Sequence, residues 1–226
     1  MLYDAFKKEL LQLLAMVESE KARKGIAVAF SGGEISASES QHTRVSKRTA
    51  ETRQRIVEAT LGLHRDVGVA RTTISMIAER AGVQRHTVYA HFPDERTLLM
   101  ACSGLHMERD PLPSPEAWQA TNDPEQRLRQ ALTALYTWFA QNETITAAFH
   151  RDAEQHALLR EINELQLGPS LRAFHESLAV GLGANGKAAL LLAMSFYTWR
   201  TLAREAGLEP AAVVELMVRA VLCADS

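Results

Sequence analysis

Apolar residues recur at intervals of three and four along almost the whole chain, whereas almost no segment alternates apolar and polar residues. Two examples lie far apart in the sequence: Ile56, Ala59, Thr60 and Leu63, and then Leu128, Leu132, Leu135 and Phe139. The first period matches one face of an α-helix, and strict alternation is what a half-buried strand requires. The sequence therefore predicts an all-α fold, in which the single strand-like run, Ile26–Phe30, has no partner strand.

Two stretches interrupt the helical pattern and divide the chain into three parts. Ser31–Ser46 is rich in serine and glycine, a composition typical of flexible linkers. Asp110–Pro115 alternates prolines, and no helix crosses it because proline lacks the amide hydrogen. We therefore expect an N-terminal extension and flexible linker (1–46), a small basic domain (47–109) and a larger helical body (110–226).

Composition excludes several classes of protein. The 226 residues are 46% hydrophobic and 23% charged, which is the balance of a soluble globular chain. No apolar stretch reaches the roughly 20 residues that span a bilayer, and Met1–Lys8 lacks the pattern of a secretory signal. Cys102 and Cys223 are too few for a zinc-finger set or a disulfide framework. These features predict a cytoplasmic protein with no membrane partner.

Charge is distributed unevenly. Arg44–Arg109 contains eleven basic and seven acidic residues, whereas Asp110–Ser226 contains nine basic and fourteen acidic residues. A basic segment beside an acidic one fits a chain in which one part meets a polyanion such as nucleic acid. Chance alone also produces a swing of this size.

The region most informative about function contains two short helices joined by a turn. The spacing predicts a helix over Ser75–Ala81, a turn at Gly82 and a second helix that begins at Gln84, which is helix-turn-helix geometry. The outer face of the second helix is polar: Gln84, Arg85, His86, Thr87 and Tyr89. A helix this short and polar suits the major groove of DNA, and the alternative is an ordinary helical corner with a solvated face.

Residues 51–109 resemble the N-terminal DNA-binding domain of the TetR/AcrR family of transcriptional regulators. The resemblance rests on Asp66–Gly68, Thr72–Ala78, Ala81–Val83 and Thr87–Pro93. It implies a three-helix DNA-binding domain followed by a helical bundle that binds an effector and dimerises. The implied function is a homodimeric repressor that a small molecule releases from a palindromic operator in double-stranded DNA.

The resemblance also implies roles for individual residues. Gln84, Arg85, His86 and Thr87 are the candidates for base contacts, because arginine pairs with guanine and glutamine with adenine. Thr73 and Ser75, at the start of a helix, and Tyr89 and His91 are the candidates for phosphate contacts. Phe92 is expected to be buried beneath the recognition helix. The order Glu95 then Arg96 departs from the family, which places a basic residue first, so Arg96 is the substitute phosphate contact.

The body offers candidates for dimerisation and for effector binding. Two predicted helices, 187–206 and 210–223, carry alanines that permit close packing and are the expected dimer face, the alternative being the core of the monomer. Aromatic and histidine side chains at helical spacing are usually core residues. Some of them could line a pocket for a small apolar or aromatic effector: Trp118, Trp138, Phe149, His150, Phe174, His175 and Tyr197. No metal or cofactor site is expected.

Two alternative functions remain open. The first is a DNA-binding regulator that has no small-molecule effector and is controlled by a protein partner. The second is nucleotide binding through Ser31-Gly32-Gly33, which resembles the phosphate-binding start of the PP-loop ATP pyrophosphatases. The acidic residue of that motif is displaced here to Glu34, and too little chain is left for the rest of such a domain. The extension is therefore expected to be disordered or loosely docked, or to reflect an early start codon.

Overall fold

The computed structural model describes residues 35–224, with side chains from residue 44. The chain divides into two compact units, residues 1–51 and 52–226, so the predicted boundaries after residues 46 and 109 stay predictions. The helices are α1 (Ile35–Val67), α2 (Ile74–Ala81), α3 (Arg85–His91), α4 (Glu95–Arg109), α5 (Pro124–Gln141), α6 (Glu143–Ala153), α7 (Ala157–Gln166), α8 (Gly168–Leu178), α9 (Ala184–Ala193), α10 (Phe196–Arg200) and α11 (Pro210–Cys223).

All the regular structure in residues 35–224 is helical, which confirms the predicted all-α class. Pro115–Ala117 adds a short 3₁₀ turn after the prolines, and α10 continues into a π-helical turn at Thr201–Glu205. None of the helices in this part of the chain is both long and apolar enough to cross a membrane. The strand-like run Ile26–Phe30 and the motif Ser31-Gly32-Gly33 lie outside the described residues.

Helix α1 corrects the prediction of a flexible linker over Ser31–Ser46. The helix begins at Ile35, so residues 35–46 are helical. Serine and threonine lower helix propensity only slightly, whereas glycine and proline interrupt a helix strongly. No proline occurs before Pro93, and no glycine occurs between Gly33 and Gly62. Serine content was therefore the wrong signal, and the absence of helix breakers was the better one.

The turn between α2 and α3 forms as the sequence predicts. Thr73 caps α2 by accepting a hydrogen bond from the amide of Met76 at 3.3 Å. Gly82 ends α2 in the left-handed conformation, with φ at 64°, which is costly for a residue with a Cβ atom. The amide of Val83 then donates to the carbonyl of Ala78 at 2.9 Å. This closure fixes the direction in which α3 leaves the turn.

The N-terminal helices α1–α4 have an apolar core of their own. Ile56 and Val88 are fully buried in it, and Phe92 is 2% exposed. The guanidinium carbon of Arg53 lies 4.7 Å from the centre of the Phe92 ring and covers the ring's outer side. Phe92 therefore lies beneath the recognition helix as expected and attaches α3 to α1.

The larger core of the body forms where α5 and α9 both pack against α11. Leu132, Leu135, Leu190 and Val218 are completely buried there. Full burial of side chains of this size contributes about 1.5–3 kcal/mol each. This packing, and not helix propensity, therefore holds the body together.

The predicted helix 187–206 is broken in the structure. Helix α9 ends at Ala193, and Ser195 has an extended backbone with ψ at 132° before α10 begins. The hydroxyl of Tyr136, on α5, donates a hydrogen bond of 2.7 Å to the carbonyl of Ala193. A distant side chain thus satisfies a carbonyl that would otherwise need the next helical turn, and local spacing cannot reveal such a partner.

Candidate DNA-binding face and effector cavity

Helix α3 presents a polar surface to solvent. Gln84, Arg85 and His86 are exposed at its start, and Tyr89 is 54% exposed one turn later. Gln84 occupies the N-cap position but forms no side-chain cap, so its amide group faces outward uncommitted. Arg85 makes no hydrogen bond or ion pair with residues 44–224. Donors and acceptors in this region are therefore available to an external partner.

The predicted phosphate contacts flank this surface. Thr73 is exposed at the start of α2, and its hydroxyl oxygen caps the helix while its hydroxyl proton remains able to donate. Ser75 lies half-buried in the same first turn. Thr87, near the start of α3, and His91, at its end, are both half-buried. Each of these residues is therefore at least partly accessible to an external partner.

The start of α4 contacts the body instead of standing free. Asp94 caps the helix by accepting a 2.7 Å hydrogen bond from the Thr97 amide, and hydrogen bonds from Thr97 hold the pKa of its carboxyl below the ordinary value. Arg96 forms a 2.8 Å ion pair with Glu161 on α7. Glu95 lies 3.2 Å from the ring of His156. The structure thus places Arg96 in a contact between the N-terminal helices and α7, and its predicted role at phosphate stays a prediction.

A cavity of about 260 Å³ lies between the N-terminal helices and the body. Helices α1, α4, α5, α6 and α7 contribute to its wall, and the break before α10 contributes Met194, Ser195 and Phe196. The wall is mainly apolar, with scattered hydroxyl, amide and imidazole groups. Such a concave, largely apolar space with a few polar groups is the usual form of a small-molecule site.

The structure brings three of the predicted effector residues to this cavity and places four elsewhere. Trp138, Phe149 and His150 line it. The other four are not part of its wall: Trp118, Phe174, His175 and Tyr197. The first two of these rings pack edge to face at 4.8 Å in the body core, and the ring of Tyr197 lies 5.2 Å from that of His150 but is about half exposed.

Sequence reasoning missed His64, Cys102 and His106, which also line the cavity. Burial lowers the pKa of His64 to about 4 and raises the pKa of the Cys102 thiol to about 12. The two side chains face each other, with 3.4 Å between Nδ1 and Sγ. Burial likewise lowers the pKa of His106 and of His150. All three imidazoles are therefore neutral at pH 7.

Helix α6 links the cavity to the helix-turn-helix motif. Asp152, only 7% exposed, accepts a 3.0 Å hydrogen bond from the amide of Ala70 and a 2.9 Å hydrogen bond from Arg151. Burial would raise the pKa of this carboxyl, but those two bonds outweigh it, so the pKa lies below the ordinary value. A Cβ atom at Gly68 would lie 2.7 Å from Asp152 Oδ2. The loop before α2 is therefore held against the end of α6.

Helices α9 and α11 share an exposed apolar surface, which we call the α9–α11 face. Leu191 is 61% exposed and Leu192 is 57% exposed on α9, while Leu216 is exposed on α11 beside Ala212. The two helices pack against each other, and exposed leucines on packed helices are candidates for an interaction surface. The predicted dimer face lay on these same two segments.

Comparisons with known proteins agree with this architecture. The family model described as "Bacterial regulatory proteins, tetR family" matches residues 56–102. The HTH-type transcriptional regulator TtgR of Pseudomonas putida is 35% identical over 94 residues, which cover 41% of this chain and 45% of that protein. The HTH-type transcriptional repressor KstR of Mycolicibacterium smegmatis is 32% identical over 106 residues, or 47% of this chain and 52% of that protein. The chain thus spans about half the length of these curated relatives.

The fold of the whole body has solved counterparts. The transcriptional regulator FadR of Bacillus subtilis, solved in complex with stearoyl-CoA, superposes with a TM-score of 0.54. The match covers 76% of this chain and 98% of that chain at 15% sequence identity. At this identity the similarity shows a shared fold: a helix-turn-helix domain followed by a helical bundle.

Proposed function

Because this chain belongs to the TetR family of bacterial transcriptional regulators, we propose that it is a homodimeric repressor that a small molecule releases from operator DNA. The observation that carries the proposal is the polar, exposed surface of α3, which Val88 and Phe92 anchor from below. A recognition helix must be held rigidly while its outer side chains reach base edges in the major groove.

Each part of this surface has a proposed task. Gln84, Arg85, His86 and Thr87 contact base edges, since they occupy the beginning of the recognition helix. Phosphate groups are bound by residues along the flanks of the motif, namely Thr73, Ser75, Tyr89 and His91. Arg96 reaches a phosphate only if its ion pair with Glu161 opens.

The α9–α11 face is the proposed dimer interface. Two-fold symmetry brings the same surface of two copies together, so the exposed leucines of one copy cover those of the other. A two-fold protein carries two recognition helices and therefore reads a palindromic operator, with half-sites in successive major grooves. Such a regulator works in the cytoplasm, where the DNA is.

The cavity is the proposed effector site. Helix α6 supplies Phe149 and His150 to its wall, and the next two residues, Arg151 and Asp152, hold the loop that precedes α2. A ligand that moves α6 thereby moves the loop and the motif behind it. The effector shifts the population toward a conformer whose recognition helices no longer fit successive grooves. FadR, solved with stearoyl-CoA, shows a ligand in a protein of this fold.

The test is selection of bound genomic DNA fragments by the full chain, followed by footprinting of the enriched site. We expect one palindromic site, and we expect Arg85→Ala to weaken its binding by about 1–3 kcal/mol and to relax the preference at one base pair per half-site. Arg172→Ala is the matched control, because Arg172 is an exposed arginine on α8 paired with Glu164. An Arg85→Ala variant with the wild-type footprint and affinity contradicts the proposed role of α3.

The alternative regulator, which has no small-molecule effector, is less well supported because the cavity provides room for a ligand. If no member of a broad compound library changes operator affinity while the protein still binds its palindrome, that alternative is favoured. Nucleotide binding through Ser31-Gly32-Gly33 has no support in the described residues. It would require saturable ATP binding that is lost when residues 1–46 are deleted.

A further inference from the structure

We infer that the cavity between the N-terminal helices and the body binds an uncharged, largely apolar molecule about the size of two fused rings, and that it discriminates against ions of the same shape. The inference rests on the proposed function in one respect, since it assumes that this cavity is the effector site. It goes beyond that function by assigning the charge and size of the ligand.

The first argument is the absence of charge in the wall. Among the described residues that line the cavity, none is aspartate, glutamate, lysine or arginine. The charged residues nearest to the wall along α6 are Arg151 and Asp152, which form an ion pair with each other, and the Asp152 carboxylate also accepts a hydrogen bond from the amide of Ala70. Transfer of an ion from water into an apolar site without a counter-charge is highly unfavourable. An ionic ligand would find no such counter-charge here.

The second argument concerns the imidazoles, which are the only titratable polar groups in the wall besides the Cys102 thiol. Burial lowers the pKa of His64, His106 and His150, so none of the three carries a positive charge at pH 7. They therefore act as neutral hydrogen-bonding groups, and one of them would have to take up a proton in order to neutralise a carboxylate or a phosphate. A ligand with a hydroxyl or carbonyl group suits them better than an anion does.

The third argument is the distribution of aromatic and polar groups. Phe139 packs edge to face against Trp138, with ring centres 5.8 Å apart, and against Phe196, with ring centres 5.5 Å apart, and all three residues line the cavity. Ser103, Thr146 and Asn163 add isolated hydroxyl and amide groups. This combination favours a flat apolar body with one or two neutral polar substituents.

Volume sets the size. An engineered apolar cavity of roughly 150 Å³ is known to hold benzene, and this cavity measures about 260 Å³. A bicyclic aromatic molecule therefore fills the space, whereas a long acyl chain does not fit without expansion of the bundle.

The experiment compares three probes that share a naphthalene ring and carry a small neutral, anionic or cationic substituent at position 2: naphthalene-2-methanol, 2-naphthoate and 2-naphthylmethylammonium. Binding to the full chain at pH 7.5 is measured by titration calorimetry. We expect the neutral alcohol to bind at least tenfold more tightly than either ion. Equal or tighter binding of an ion, or no binding of the alcohol up to its solubility limit, overturns the inference.

A charge placed in the wall provides a matched control. Asn163→Asp is nearly isosteric and adds one carboxylate to the cavity surface. It is expected to shift the preference toward the ammonium probe by at least tenfold, and Asn142→Asp, at a buried position outside the wall, is expected to leave the preference unchanged. If Asn163→Asp binds the three probes in the wild-type order, the cavity is not the binding site and the inference fails.

Operator binding in the presence of each probe separates this inference from the proposed function. If the alcohol binds selectively yet leaves operator affinity unchanged, the ligand class stands and the proposed release mechanism fails. If an ion binds and releases the operator, the proposed function stands and the inference about charge fails.

Discussion

The DNA-binding helices and the body use apolar side chains in different ways. Helices α1–α4 place theirs inside, around Val88 and Phe92, and present a polar surface at α3. The body leaves apolar surface uncovered both on its outside, most of all at the adjacent Leu191 and Leu192, and inside at the cavity. In the function proposed above, the first region needs no partner other than DNA, whereas the body is completed by another copy of the chain and by a ligand.

The largest effect is expected from a change to the exposed leucines on the outside of the body. Leu191→Glu places a carboxylate in the α9–α11 face, and the two-fold symmetry of the proposed dimer would repeat it in both copies. Loss of leucine burial and the cost of burying a charge are expected to give monomers and to weaken operator binding by about 100-fold or more. Sedimentation and gel-shift titration measure both effects. Leu165→Glu, at a leucine 52% exposed on α7, is the control that is expected to remain dimeric.

Unfolding at a series of pH values tests the burial of His64, which belongs to α1 but lines the cavity beside the body. Its pKa is about 4 in the folded chain, against 6.5 without burial. As the pH falls from 6.5 to 4, His64 takes up a proton in the unfolded chain but stays largely neutral in the folded chain. The free energy of unfolding is therefore expected to fall by up to about 3 kcal/mol over this range and to be fully retained above it.

Urea unfolding at each pH measures this dependence in the wild type and in His64→Asn. His106 and His150 contribute in the same direction in both proteins, so the difference between the two slopes isolates His64. Parallel slopes would show that this imidazole takes up protons as easily in the folded chain as in the unfolded one.

A pair of glycines tests the contact between α6 and the loop before α2, because only one of the two lies at that contact. Gly68 and Gly181 have similar left-handed backbones, with φ at 91° and 83°. A Cβ atom at Gly68 would collide with Asp152 and Arg151, whereas one at Gly181 would meet nothing within 4 Å. Alanine is expected to cost roughly 1 kcal/mol at position 181 and about 2 kcal/mol or more at position 68. Thermal or urea unfolding gives both values, and equal losses would show that α6 does not press on this loop.

The smallest effect is expected at the ion pair between α4 and α7. Arg96 and Glu161 are both about half exposed, so Arg96→Ala is expected to lower the free energy of unfolding by less than about 1 kcal/mol. If Arg96 contacts phosphate when DNA is bound, the same variant will also show a shallower dependence of operator affinity on salt. An unchanged salt dependence would restrict Arg96 to its contact with the body.

Local signals predicted the geometry of the two short helices and their turn well, because each signal depends on residues close together in the sequence. The helix that ends at Ala81 and the left-handed position at Gly82 follow from local spacing, and the burial of Phe92 follows from the family resemblance of the same short stretch. The cavity could be predicted only in part, since its wall combines residues as distant as His64 and Phe196. His64 and Cys102 look like ordinary core residues of α1 and α4 until the body packs over them.

The broken helix illustrates the same limit. Spacing predicted one continuous helix over residues 187–206, and the interruption depends on a hydroxyl of Tyr136 that is distant in sequence. Likewise, the helix at residues 35–46 was hidden by a composition that resembles a linker. Sequence patterns thus indicate which residues favour helix, while the points at which helices stop are decided by partners elsewhere in the chain.

The interruption between α9 and α10 lies between the outer surface of the body and the cavity. Leu191 and Leu192 lie on the outer face just before it, and Met194, Ser195 and Phe196 line the cavity immediately after it. The six positions from 191 to 196 therefore include residues on the outer surface of the body and residues that line the cavity. If a ligand displaces Met194, we expect the leucine pair to tilt with it, so that in the proposed dimer the ligand changes the angle between the two copies.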